Sequence, residues 1–298
     1  MDISLRYYPY RCLNWDEKIG QGGNGDVYKV FIDKKMYASK VYSSSEWEDV
    51  NDFYEEIEKE SNILDLMNES RHSIHTLGYS SFKVSEGNLQ IIFIFDIYKI
   101  DLYDYIQKDN FWKSYEEKPE TLFCVYNPDE CVYYDYLMDE SQKIKITMSL
   151  LEGVEELHSN NIIHGDIKTC NLMYNNNKII IIDFNASEII EEGNKSISIE
   201  SSVGTEGYCA AEQIENNILC YKSDVYSVGV SLIELWCGYI WSGVDGFRLR
   251  RNEVLYSLRK IEKKYPEWGK VLRKSIDKSY KKRISLDKLK QQFMNLFN

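Results

Sequence analysis

His164-Gly165-Asp166-Ile167-Lys168-Thr169-Cys170-Asn171 follows a helical pattern, and the apolar run Ile179–Ile182 beyond it ends in Asp183-Phe184-Asn185. The first stretch puts a carboxylate, a lysine two residues on and an amide three beyond that on one loop. A carboxylate can accept a hydroxyl proton, a lysine can neutralise charge on a transferring phosphoryl group, and an amide oxygen suits magnesium. Asp183, at the end of a buried strand, supplies a second oxygen for the same metal. Either short motif alone could be chance. Their order, behind a glycine-rich loop and a lysine, makes chance a poor explanation.

That glycine-rich loop is Gly20-Gln21-Gly22-Gly23-Asn24-Gly25-Asp26-Val27, between two predicted strands. Glycines let a backbone approach phosphate oxygens without a Cβ in the way. By itself the pattern is equally a hairpin turn, and a dinucleotide-binding reading would need a helix to follow where a strand follows. Tyr37-Ala38-Ser39-Lys40 comes next, with Lys40 near a strand end and in reach of α and β phosphates. Such a lysine needs a carboxylate to hold it. Glu60 is the first candidate, with Glu55, Glu56 and Glu58 as rivals on the same predicted helix.

Around these motifs the first third of the chain alternates like strands, at Leu13–Ile19, Asp26–Ile32, Met36–Tyr42, Leu77–Phe82 and Leu89–Phe95. A charged helical stretch, Ser45–Asn68, interrupts them. Beyond Asp101 the periodicity is helical, at Ile144–His158, Ser223–Trp236, Arg251–Lys264 and Leu286–Phe297. Strands first and helices later predict an α+β chain with a small sheet lobe over residues 1–97 and a larger helical lobe over residues 98–298. The interval 107–140, rich in Tyr, acids and Cys, reads as an insertion.

With 298 residues, 43% hydrophobic and 28% charged, the composition is that of a globular protein. The start MDISLRYYPY has neither a signal-peptide pattern nor a long apolar run, so the expectation is a chain that is not secreted, does not cross a membrane and works in the cytoplasm. Seven scattered cysteines without metal-ligand spacing read as reduced thiols. The net charge of −12 argues against general nucleic-acid binding, although the segment after Gly246 is strongly basic. The acid surplus elsewhere would favour partners that carry Lys or Arg.

From about Trp15 to Ser285 the chain resembles the eukaryotic protein kinases. Besides the motifs above, Gly204-Thr205-Glu206-Gly207-Tyr208-Cys209-Ala210-Ala211-Glu212 is similar to the family segment ending in Ala-Pro-Glu, and Arg283 to the late arginine that pairs with that Glu. Ser223-Asp224-Val225-Tyr226 resembles the start of the buried central helix, where Asp224 would bind the catalytic-loop backbone. Phe95-Asp96-Ile97-Tyr98, followed by Asp101-Leu102, resembles the adenine-binding hinge with Phe95 as gatekeeper.

The resemblance implies a two-lobed fold and ATP- and Mg2+-dependent transfer of a γ-phosphoryl group to Ser or Thr hydroxyls of proteins. It implies Asp166 as the base and Lys168 as its cationic neighbour, with Asn171 and Asp183 on the metal. The nucleotide would take Ile19, Gly20, Gly22, Gly25, Val27, Ala38, Lys40, Glu60, Phe95, Asp96, Tyr98 and Asp101. Lys168 and Thr205 resemble the serine/threonine branch.

Three residues depart from the family pattern: Gly165 for Arg, Asn185 for Gly and Ala211 for Pro. They support an alternative, a pseudokinase or nucleotide-binding scaffold acting through partners. Against it stand Lys40, Asp166, Asn171 and Asp183, all present. Glycine in place of Asn185 would permit positive φ, and Asn185 is expected to tolerate that region and to hold Asp183 through a local hydrogen bond. His-Gly-Asp is also seen in kinases of large DNA viruses, and the Ile-, Asn- and Tyr-rich composition suggests such a source.

Overall fold

The computed structural model describes residues 3–22, 25–84, 88–106, 138–238 and 247–297. They fall into two compact units, Met1–Tyr98 with Asp183–Asn185, and Lys99–Ile182 with Ala186–Asn298. Residues 107–137 of the expected insertion lie outside the described residues.

The first unit is built on an antiparallel sheet of β1 (Asn14–Gly22), β2 (Gly25–Ile32), β3 (Lys35–Ser43), β4 (Thr76–Lys83) and β5 (Leu89–Phe95), in the order β1-β2-β3-β5-β4. Asp33 and Lys34, at φ 49° and 67°, form the two-residue left-handed turn that matches the twist of β2 and β3. Alternation along β5 sends Ile92 and Ile94 into a cluster with Leu13, Val30, Ile32 and Tyr37. Phe93 and Phe95 occupy the opposite parity.

Between β3 and β4 runs α1 (Val50–Met67), capped by the Asp49 carboxylate, which accepts from Asn51 N at 2.8 Å. Its buried positions, Phe53, Ile57, Glu60, Leu64 and Met67, recur every three or four residues as one helical stripe. Glu60 is therefore carried inside by the same periodicity that buries its apolar neighbours.

In the second unit, α2 (Glu140–Ser159) starts with a reciprocal cap: Gln142 N donates to Asp139 Oδ1 at 2.7 Å, and Asp139 N donates to Gln142 Oε1 at 3.2 Å. Short antiparallel pairs follow: β6 (Ile162–Ile163) with β9 (Glu188–Ile189), β7 (Leu172–Asn175) with β8 (Lys178–Ile181), and β10 (Ser196–Ser198) with β11 (Ile218–Cys220). The helix α3 (Ala211–Asn216) precedes α4 (Tyr221–Cys237), which is buried from Ser223 to Trp236 and ends at Gly238 in the left-handed region. Three helices complete the unit: α5 (Phe247–Lys264), α6 (Pro266–Ser275) and α7 (Leu286–Phe297).

The predicted helices and strands match these elements within a few residues. The short strands β6, β7, β9, β10 and β11 and the helix α3 have no counterpart in the sequence reading, nor has α6, a ten-residue helix that starts on Pro266. Proline fits the first helical turn, where its missing N–H is not needed. No helix among the described residues is long and apolar enough to cross a membrane.

Candidate active site

Lys40 lies near the end of β3, opposite Val27 of β2 and Phe93 of β5. Its ammonium donates to Asp183 Oδ1 at 2.6 Å and to Asn185 Oδ1 at 3.0 Å, and stands 3.8 Å from Glu60 Oε1. Burial, the largest single influence, pushes this ammonium down; Glu60 and Asp183 together outweigh it and hold it above its ordinary value. Glu60 itself is raised by burial, which its neighbours Lys40 and Tyr42 only partly offset. Tyr42, two residues after Lys40, donates its hydroxyl to Glu60 Oε2 and has Asn185 Oδ1 within 3.0 Å. Among the rival carboxylates, Glu56 pairs with Lys59 at 3.0 Å.

Of the other residues predicted for the nucleotide, Gly20 faces Val27 across the β1–β2 ladder and Gly22 faces Gly25 at its end. The expected reason for glycine at position 25 needs correction. A Cβ there would lie 2.6 Å from the Val41 carbonyl oxygen, so close strand packing already requires glycine. Ile19 is exposed on β1, and Ala38 faces Phe95 at the end of β5. Asp96 donates its N–H to the His75 carbonyl at 3.1 Å, and its carboxylate meets His75 Nδ1 at 3.3 Å. Tyr98 is partly buried, its phenol raised by that burial and by Asp96. Asp101, in the second unit, caps a helical turn, its Oδ1 accepting from Asp104 N at 2.7 Å.

The loop that begins at His164 in the second unit is pinned by Asp224. Asp224 Oδ2 accepts from His164 N at 2.9 Å and faces His158 Nε2 at 2.8 Å, while its Oδ1 accepts from Gly165 N at 3.0 Å. Asp166 Oδ2 accepts from Lys168 Nζ at 2.8 Å and from Asn171 Nδ2 at 3.2 Å. Asn171 Nδ2 also donates to the Asp166 carbonyl at 2.9 Å. Lys168 reaches Thr205 Oγ1 at 2.7 Å, so Thr205 joins the loop through the lysine. Asp166 Oδ1 is buried and has no hydrogen-bond partner among the described residues. A buried carboxylate oxygen without a donor is costly unless a ligand supplies one.

Asn171 and Asp183 fit magnesium by donor type, an amide oxygen and a carboxylate. This cation is commonly held by one or two protein oxygens together with water and substrate phosphates. Asn171 belongs to the second unit and Asp183 to the first.

Two departures acquire structural reasons. Gly165 sits at φ 78°, and a Cβ there would fall 2.3 Å from the Ala186 carbonyl oxygen. The expectation about Asn185 is corrected. It is Asp183 that takes the left-handed conformation, at φ 67°, while Asn185 does not. The Asn185 carboxamide is spent on Lys40 rather than on a turn of its own.

Sequence reasoning missed Tyr42, Gln213 and Glu234. Tyr42 was detectable, because residues two apart on a strand share a face and Lys40 was already singled out. Gln213 Nε2 donates to the Gly165 carbonyl at 2.9 Å, and Glu234 accepts from Thr169 Oγ1 at 3.0 Å and from the Tyr208 hydroxyl. Nothing in their local sequence marks these two.

Arg283 and Glu212 are paired in the interior as the resemblance implied, which ties the late arginine to α3. A proline-rich receptor-like protein kinase of Arabidopsis thaliana is 27% identical over 228 residues, which is 75% of this chain and 28% of the relative. An LRR receptor-like serine/threonine-protein kinase of the same plant is 28% identical over 233 residues, 76% of this chain and 16% of the relative. A probable serine/threonine-protein kinase of Dictyostelium discoideum is 26% identical over 242 residues, 75% of this chain and 21% of the relative. The match thus spans less than a third of each of these relatives. None of the three is viral, and the expected viral source gains no support from them. The protein kinase domain family matches residues 13–294, nearly the whole chain and every motif described above, and the chain belongs to that family.

Proposed function

We propose that this chain is an active protein serine/threonine kinase that moves the γ-phosphoryl group of ATP to a protein hydroxyl. The observation that carries this reading is the Asp166 carboxylate: one oxygen is fixed by Lys168 and Asn171, and the other is buried without a partner. An incoming Ser or Thr hydroxyl would give Oδ1 the donor it lacks, which orients the acceptor oxygen and takes its proton. Lys168 holds the other oxygen of Asp166 and would offer a positive charge beside the transferred group.

Lys40 would grip nucleotide phosphates, and Asp183 and Asn171 would hold magnesium, which supplies charge neutralisation to the phosphates when bound. Substrates with basic residues beside the acceptor fit the acidic balance of the chain outside its C-terminal segment. The alternative, a nucleotide-binding scaffold, predicts binding without transfer. Incubation with labelled ATP, magnesium and a panel of proteins separates them: label on Ser or Thr that disappears in Asp166→Asn supports the enzyme. Equal labelling by both proteins, or none by the wild type, overturns it.

A further inference from the structure

We propose that Asn185 and Tyr42 are positioning residues for Lys40 in place of a direct lysine–glutamate hydrogen bond: the Asn185 carboxamide accepts from the ammonium, and the Tyr42 phenol holds Glu60 and sets its ring beside the same ammonium. The inference rests on the proposed kinase reading and deepens it. Lys40 stands 3.8 Å from Glu60, too far for a hydrogen bond, while Asp183 and Asn185 lie at 2.6 and 3.0 Å. Glu60 is held instead by the hydroxyl of Tyr42.

A phenol carries one proton, and here two acceptors compete for it, Glu60 Oε2 and Asn185 Oδ1. The carboxylate is the stronger acceptor and takes it. Burial and the Glu60 charge raise the phenol well above its ordinary value, so it remains a donor. Asn185 must then present oxygen, not nitrogen, to the Lys40 ammonium, because an amide N–H₂ cannot accept. Tyr42 also places its ring 5.0 Å from that ammonium.

Glu60 on α1 is thus tied to Tyr42 of β3, and Asn185, whose Oδ1 shares no proton with that phenol, accepts from the same lysine as Asp183. A glycine at position 185, the usual family residue, would leave Lys40 without its uncharged hydrogen-bond acceptor among the contacts described above. Lys40 would then depend on Asp183, which the metal also needs.

The test measures the dissociation constant of Mg-ATP by calorimetry, with kcat and the KM for ATP, in wild type, Asn185→Gly and Tyr42→Phe. Binding is repeated for Asn185→Gly on a Lys40→Met background. Each single variant is expected to raise Kd and KM for ATP by roughly three- to tenfold, the net effect of one ordinary hydrogen bond, with kcat changed less. On the Lys40→Met background Asn185→Gly should alter Kd by less than about twofold, since a positioning residue acts only through its target.

Lower thermal stability with unchanged Kd and KM would mark both residues as merely structural and overturn the inference. So would an Asn185→Gly effect that persists without Lys40. Asn185→Gly keeps the test readable if Tyr42→Phe does not fold. A wild type that binds Mg-ATP but transfers nothing defeats the kinase reading while leaving the Kd comparison decisive. Transfer with Kd and KM unmoved by Asn185→Gly defeats only the inference.

Discussion

Arg283 and Glu212 face each other with two parallel contacts, Nη1 to Oε1 at 2.6 Å and Nη2 to Oε2 at 3.1 Å, and both residues are almost wholly buried. Glu212 Oε1 also accepts from Ser223 Oγ at 3.1 Å, and Arg283 Nε donates to the Asp277 carbonyl at 3.0 Å. The pair joins α3, the start of α4 and the loop before α7.

Breaking such a pair leaves a buried charge alone. Arg283→Met is therefore expected to destabilise the protein by about 3–5 kcal/mol, more than the double replacement Arg283→Met/Glu212→Leu, which removes both charges. Denaturant unfolding of the two variants measures the difference. Equal losses would mean that the pair is held by packing rather than by charge.

The catalytic assignments separate by what each variant retains. Asp166→Asn should lower phosphoryl transfer by at least ~100-fold while Mg-ATP still binds, because in the proposed reaction Asp166 serves the acceptor. Lys40→Met and Asp183→Ala should lose transfer, and Asp183→Ala should also weaken magnesium-dependent nucleotide binding. Calorimetric titration beside a transfer assay checks the split.

Phosphate on Ser196, Ser198, Ser201 or Ser202 is not expected to be required for activity. Residues Ser196–Ser198 are already paired as β10 with β11, and Ile197, Ile199 and Val203 pack on the buried cluster of Ile163, Ile190 and Leu219. Gly165 has no side chain to meet a phosphate. Phosphatase-treated protein should keep its activity within roughly twofold of untreated protein. Loss of activity that rephosphorylation restores would refute this.

Restoring the family arginine should fail for a local reason. Gly165→Arg, or even Gly165→Ala, forces an L side chain into the left-handed region at about 1–2 kcal/mol, before the contact with the Ala186 carbonyl is relieved. Melting temperatures of both variants should fall together. An unchanged value in Gly165→Arg would show that the backbone adjusts freely.

Stability should decline in alkali. Burial, reinforced by Asp166, pushes the Cys209 thiol from about 9 up to about 12. Between these values the folded protein holds a proton that the unfolded chain releases, so stability is full below about 9 and is lost as pH rises toward about 12. The buried phenols of Tyr42 and Tyr208, also raised, act in the same direction. Cys209→Ala should flatten this limb in pH-dependent unfolding.

Sequence by itself determined the α+β division, the five strands of the large sheet and most helices, because period-two and helical periodicities are local properties of the chain, whereas the two- to four-residue strands of the second unit are too short to show a period. It also singled out Lys40, Asp166, Lys168, Asn171 and Asp183, since chemistry restricts each position to one or two residue types at set spacing. Folding decided which groups those side chains touch. That Lys40 meets Asn185 at 3.0 Å and Glu60 only at 3.8 Å depends on β3, α1 and a segment more than a hundred residues away. The need for glycine at position 165 likewise arises from the Ala186 carbonyl, 2.3 Å from where a Cβ would stand. Periodicity reports which face of an element is buried; distances of a few tenths of an ångström between elements, and hence which acceptor a proton prefers, exist only once the chain has packed.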